Sequence, residues 1–116
     1  MLATLSNAIV GLYKEYYGKG PTKARSYYLD DMVVCVLRGG LTRAEQTLAR
    51  SGRTQAVARQ RHEFQEAVRD EFVGAVEGIL GRRVVAFMSS VHADPDVNVE
   101  IFMLEREPEP AETAAG

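Results

Sequence analysis

Two stretches of β-branched and aromatic residues, each folded about a polar turn and separated by helical segments, constrain this chain most. Residues Lys23 to Leu29 and Met32 to Leu37 flank Asp30-Asp31, the pattern of two strands joined by a tight turn. The second of these strands, Met-Val-Val-Cys-Val-Leu, is apolar on both faces, which predicts a central position or a cover on each side, with a second subunit as one candidate cover. A second hairpin is predicted from Arg83 to Val91 and Val97 to Glu105, around Ala93-Asp94-Pro95-Asp96, where proline presets φ and the aspartates bond nearby amides. In its last strand Val97, Val99, Ile101 and Met103 make one face uniformly apolar. The alternate residues Asn98, Glu100, Phe102 and Leu104 become apolar only toward the end.

Between and before the hairpins the period changes from two to 3.6. Leu5, Ile9, Leu12, Tyr13 and Tyr16 share one helical face, so a helix is expected from about Ala3 to Tyr17, with Gly18 at its C′ position and Gly20-Pro21 preventing continuation. Thr42 and Glu45 match a capping box that starts a short helix ending near Ser51-Gly52. A longer helix follows from about Thr54 to Leu80, with the stripe Val57, Phe64, Val68, Phe72, Val76 and Ile79, and stops at Gly81. The resulting order is α-β-β-α-α-β-β. The expected fold class is α+β: two antiparallel β-hairpins forming a four-stranded sheet with helices packed on it.

A chain of 116 residues with 46% apolar and 26% charged residues has enough core for one domain, here residues 1–105. Residues 106–116, acidic and rich in Pro and Ala without periodicity, read as a disordered tail. The longest apolar runs, Met32 to Leu37 and Val84 to Met88, fall far short of the ~20 residues that cross a bilayer, and the first residues lack a secretory pattern. A cytoplasmic location is therefore expected. Cys35 is the only cysteine, which excludes an internal disulfide. Residues 1–63 carry ten Lys/Arg against five Asp/Glu, and 64–116 carry four against eleven. That asymmetry suits the orientation of two subunits or the attraction of a charged partner, and it falls short of the basic footprint of nucleic-acid binding, which is not expected.

The segment Gly18-Lys19-Gly20-Pro21-Thr22-Lys23, joined by Arg25, offers exposed amides and positive charge. Lys19, Gly20, Lys23 and Arg25 form the candidate anion or ligand site, set against plain helix stop and turn. His92, Asp94 and Asp96 alternate as metal ligands on a strand would, but Pro95 interrupts that geometry and no metal site is assigned. His62 reads as a helix-surface residue. Cys35, within an apolar strand, reads as an inert thiol, and Ser89-Ser90 near His92 lack a nucleophile-elbow pattern. No catalytic residue and no cofactor is therefore expected. Arg43, Arg50, Arg53, Arg59 and Arg61 are expected on a solvated face, paired with Glu45, Glu63 and Glu66.

The run Ser6-Asn7-Ala8-Ile9-Val10-Gly11-Leu12-Tyr13-Lys14-Glu15-Tyr16-Tyr17-Gly18-Lys19-Gly20-Pro21-Thr22-Lys23-Ala24-Arg25 resembles the start of the MpsC-like family. Leu41-Thr42-Arg43-Ala44-Glu45 with Leu48, then Phe64, and Val84 to Ser89 with His92, Asp94 and Asp96 resemble its later blocks. The resemblance implies association with a sodium-translocating, membrane-potential-generating system. Without a segment able to conduct an ion through a bilayer, it implies an accessory or regulatory subunit with a membrane-protein partner. A homodimer is expected from the doubly apolar strand, and the alternative function is a soluble small-ligand or anion sensor using Gly18 to Arg25.

Overall fold

A computed structural model describes residues 1–106. In chain order the elements are α1 (Leu2–Tyr17), β1 (Lys23–Leu29), β2 (Met32–Arg38), α2 (Arg43–Arg50), α3 (Thr54–Leu80), β3 (Val84–His92) and β4 (Val97–Leu104). The α+β class and the order α-β-β-α-α-β-β are as the residue pattern predicts. Of the proposed tail only Arg106 is described, bonded through its Nε to Asp31 Oδ2 at 2.9 Å. Residues 107–116 lie outside the described part.

Helix ends follow the local chemistry. Gly18 closes α1 and Gly81 closes α3 with positive φ, a conformation that a Cβ disfavours. Thr42 caps α2 in a complete capping box, its hydroxyl accepting from Glu45 N while the Glu45 carboxylate accepts from Thr42 N.

The two hairpins join into one antiparallel sheet in the order β1-β2-β4-β3, so β2 and β4 are central and β1 and β3 are edges. Central placement explains why β2 is apolar on both faces. Three of the rows that the register sets across all four strands frame the site. Ser26, Cys35, Glu100 and Ser89 stand abreast on one face, while Tyr27, Val34, Ile101 and Met88 stand abreast on the other. The row Tyr28, Val33, Phe102 and Phe87 flanks the first.

Both long helices lie on the face that carries Glu100. α1 packs on β1, α3 packs on β3, and the two touch each other. Leu5, Ile9 and Tyr13 of α1 and Val68, Phe72 and Val76 of α3 bury themselves against Val33, Leu37, Phe87, Phe102 and Leu104. Phe72, Phe87 and Phe102 stack in series, with centroids 6.1 and 4.8 Å apart. At 27 residues α3 is about 40 Å long. It outreaches the sheet, and its first turns pack on α2.

In β4 the helices cover the mixed face, Asn98-Glu100-Phe102-Leu104, and leave the uniformly apolar face, Val97-Val99-Ile101-Met103, half-buried on the far side. Hydrophobic patterning alone favours the reverse. What holds this register is a set of polar partners brought by the helices.

Candidate functional site

Glu100 is fully buried in the middle of the sheet. Its Oε1 accepts from the hydroxyl of Tyr13 on α1 and from Nε2 of Gln65 on α3 at 3.1 Å. Asn98, two residues earlier on β4, donates through Nδ2 to the Tyr13 hydroxyl at 2.9 Å. The central strand is thus tied to both helices by a buried polar chain. Burial pushes the Glu100 carboxyl up to about 7, against the opposing pull of Tyr13, Ser89 and Arg61. The Tyr13 phenol is pushed well above its ordinary range by burial and by Glu100.

One helical turn before Gln65, Arg61 is 2% exposed. Its Nε donates to Glu45 Oε2 and its Nη2 to Glu45 Oε1, both at 2.6 Å, and Nη2 also reaches the Gly40 carbonyl at 3.0 Å. The guanidinium lies 4.1 Å from the centroid of the Tyr17 ring. Burial alone raises the Glu45 carboxyl, but the Arg61 bonds and the Thr42 amide bring it below its ordinary value. Arg61 was expected on a solvated face. The structure corrects this: the capping carboxylate of α2 doubles as a buried counter-ion, so the arginine is drawn inward.

Between α3, the open edge of β3 and the end of β4 lies a cavity of about 180 Å³, lined by Ala58, Arg61, His62, Gln65, Ser89, Ser90, Val91 and Asn98. Around it Tyr17 Oη, Arg61 Nη1, Gln65 Oε1, Asn98 Oδ1 and Glu100 Oε2 are buried away from the surface without a hydrogen bond of good geometry. Natural cores leave few such atoms, and each carries a desolvation penalty unless something occupies the space beside it. His62, exposed as expected, stands at the rim.

On the far face no helix covers the sheet among the described residues. Its middle is Tyr27, Val34, Ile101 and Met88, and its outer row is Leu29, Met32, Met103 and Ala86. Tyr27 is 41% exposed, Leu29 52% and Met88 49%.

Of the candidate anion-site residues, Lys19 and Gly20 stand apart from Lys23 and Arg25. Lys19 donates to the Leu41 carbonyl at 2.8 Å and acts as a strut between the α1–β1 turn and the start of α2. At Gly20 an added Cβ would stand 2.8 Å from Lys14 Cγ, so glycine fits there because space is short. Lys23 and Arg25 lie on β1 with Arg38 of β2 around one shallow groove, and Arg25 also sits 5.9 Å from the Tyr27 ring centroid. Of His92, Asp94 and Asp96, the first and last are held by other bonds. His92 Nδ1 is bonded to Pro95 O at 3.0 Å, and Asp96 accepts from the amides of Gly40 and Leu41 at 3.2 and 3.1 Å. Among the described residues no group of three or more His, Cys, Asp or Glu is placed to hold a metal ion. Cys35 lies 3.2 Å from the Ser26 hydroxyl, and burial pushes its thiol up to about 11.

Sequence reasoning did not single out Tyr13, Gln65, Asn98 and Glu100 as one cluster. The available signal was Asn98 and Glu100 alternating with a uniformly apolar face, two polar residues on one side of a strand that must pack against something.

No helix among the described residues is long and apolar enough to cross a membrane. No solved structure matches the chain. It is 28% identical over 97 residues to "Uncharacterized protein YrhF" of Bacillus subtilis (strain 168), an alignment covering 82% of this chain and 80% of that protein. The family model described as "Na+-translocating membrane potential-generating system (MpsC)" matches residues 1–106, that is, the whole of the described fold, and the chain belongs to that family.

Proposed function

We propose that this chain is a non-enzymatic accessory or regulatory subunit of a Na+-translocating membrane-potential-generating system, and that it works in the cytoplasm as a homodimer closed over the open sheet face. The family supplies the membrane context. The observation that carries the rest is the uncovered apolar face centred on Val34 and Ile101.

Four strands at a spacing of about 4.8 Å and some eight residues at a rise of about 3.3 Å give a face of roughly 500 Å² in projection. Monomers typically keep apolar patches of about 300 to 600 Å², so area alone does not call for a cover, and the reading rests on the flat, uncharged middle of the face. Two such faces pack at the ~10 Å separation of a β-sandwich with strands near −30°. The occupant fitted by that middle is a second copy, and membrane-protein partners are then met by the remaining surface.

Light scattering at micromolar concentration tests this, with an expected mass twice the 12.8 kDa of one chain. Met88→Asp, at the half-exposed edge of the face, is expected to yield a folded monomer, and Val34→Asp a stronger version of the same effect. A wild-type monomer at every concentration sinks the dimer. Recovery of a membrane protein bound to the wild type from native membranes tests the accessory role, and its failure counts against that role.

A second reading rests on the groove of Lys23, Arg25 and Arg38, where Lys23 and Arg38 are direct cross-strand partners of like charge. Such a pair is destabilising unless an anion bridges it. An anion sensor built there gains thermal stability with millimolar phosphate, and Arg38→Gln abolishes the gain.

A further inference from the structure

We infer that the open face of the sheet is a docking surface for an anionic lipid bilayer. Its two halves differ. The middle and outer rows described above are apolar throughout, whereas the next two rows, Arg25-Val36-Val99-Ser90 and Lys23-Arg38-Val97-His92, gather every Lys and Arg of the face at the opposite end. Lys23, Arg25, Arg38 and His92 are all exposed. No row of this face contains a carboxylate. Just past the basic end, Asp96 is occupied by the amides of Gly40 and Leu41, and Asp94 lines a groove with Arg50 of α2. Asp30 and Asp31 stand at the far end, where Asp31 is paired with Arg82 and Arg106. Among the described residues Lys23, Arg25 and Arg38 have no ion-pair partner.

A second copy laid face to face satisfies the apolar rows alone. With its two-fold axis along the strands it sets Lys23 and Arg38 near their own counterparts, and with the axis across the strands it sets them over the row of Leu29 and Met32. Neither arrangement brings them an anion. Free phosphate neutralises the cations but leaves the apolar rows in water. An anionic bilayer meets both halves, with headgroup phosphates for the cations and the acyl boundary for Tyr27, Leu29 and Met88, which are 41%, 52% and 49% exposed. Tyrosine suits that level, because its ring is apolar and its hydroxyl wet. Arginine adds paired donors that match a phosphate.

The whole chain carries a net charge of −2, so it has no general attraction to an anionic surface and the basic end must supply it. The docking does not rest on the dimer: at a membrane the bilayer takes the place that a second copy holds in solution. It shares its cations with the anion-sensor reading and differs in the source of the phosphate.

Flotation of the full chain tests this, with vesicles of phosphatidylcholine alone or with about one-third phosphatidylglycerol, at physiological salt. The chain is expected to float with the mixed vesicles and not with the neutral ones. Each Lys or Arg near such a surface strengthens binding about fivefold, so Lys23→Gln with Arg38→Gln should weaken it about 25-fold. Arg25→Gln, about fivefold weaker, replaces that pair should it fail to fold. Tyr27→Ser removes a ring from the apolar side and should weaken binding about tenfold. Arg43→Gln with Arg50→Gln takes the same charge from the exposed side of α2 and should bind within about twofold of the wild type. A wild type that floats yet stays monomeric in solution removes the dimer and leaves the docking standing. Four results would each overturn it: no flotation with the mixed vesicles, equal flotation with the neutral ones, equal losses in the two double variants, or thermal stabilisation by millimolar phosphate without flotation, which leaves the cations to a free anion.

Discussion

The two faces of the sheet are built in opposite senses. The face pressed against α1 and α3 carries Ser26, Cys35, Glu100, Ser89 and Asn98 along its middle, whereas the uncovered face carries Tyr27, Val34, Ile101 and Met88. A one-residue slip of β4 would exchange its two faces and bury more hydrocarbon under the helices. The two faces of β4 are divided accordingly. The covered face is matched by polar partners on Tyr13 and Gln65, and the open face keeps the apolar residues that the covered one gives up.

The largest expected effect breaks the covered side. Arg61→Met leaves Glu45 buried without its counter-ion and should cost about 3 to 5 kcal/mol in urea unfolding, the usual result of removing one partner of a buried pair. Glu45→Gln preserves the capping-box pattern with Thr42. Combined with Arg61→Met it is expected to recover part of that loss, since no charge is then stranded. A double variant as unstable as the single one would mean that Arg61 acts through its packing on Tyr17, not through its charge.

The buried carboxyl separates the two faces by pH. The folded-state value for Glu100 is about 7, well above that of an unfolded glutamate near 4.3, so the folded protein keeps a proton that the unfolded chain releases. The stability linked to Glu100 is therefore fully present below about pH 4, declines as pH rises through the interval, and is gone above about pH 7. The total is on the order of 3 kcal/mol. Glu45, whose folded value is lowered, acts in the other direction and loses its contribution as pH falls. Comparison with Glu100→Gln isolates the first term. The variant should gain on the wild type steadily between pH 5 and pH 7 in urea unfolding. A constant difference across that range would show that Glu100 is not a buried titrating group.

The elements themselves were legible. Periods of two and 3.6, the turn at Asp30-Asp31, Gly18 and the Thr42-Glu45 box placed every helix and strand within a residue or two, because each signal is local. The site was not. Glu100 meets Tyr13 across 87 positions and Gln65 across 35, and no local pattern states that β4 lies between β2 and β3. Conversely Lys19 and Asp96 looked like a ligand's partners, yet Lys19 holds the Leu41 carbonyl and Asp96 the Leu41 amide. Charged residues beside glycine and proline bonds serve backbone joints as readily as ligands, and only the three-dimensional arrangement tells the two apart.

The smallest expected effect falls on the open face and bears most directly on its role. Val34→Thr is nearly isosteric and exchanges a methyl for a hydroxyl in the middle of the uncovered row. If that row faces water in the working molecule, the hydroxyl is solvated and the change in stability is within about 0.5 kcal/mol at any protein concentration. If a second copy covers it, the hydroxyl loses water without gaining a partner. The cost then rises to about 1 to 3 kcal/mol, and it does so only at concentrations where the wild type associates. Urea midpoints of both chains, measured at dilute and at hundredfold higher concentration, distinguish these cases. A gap between the chains that widens with concentration supports the dimer, whereas a gap that stays near zero leaves the face to a different partner.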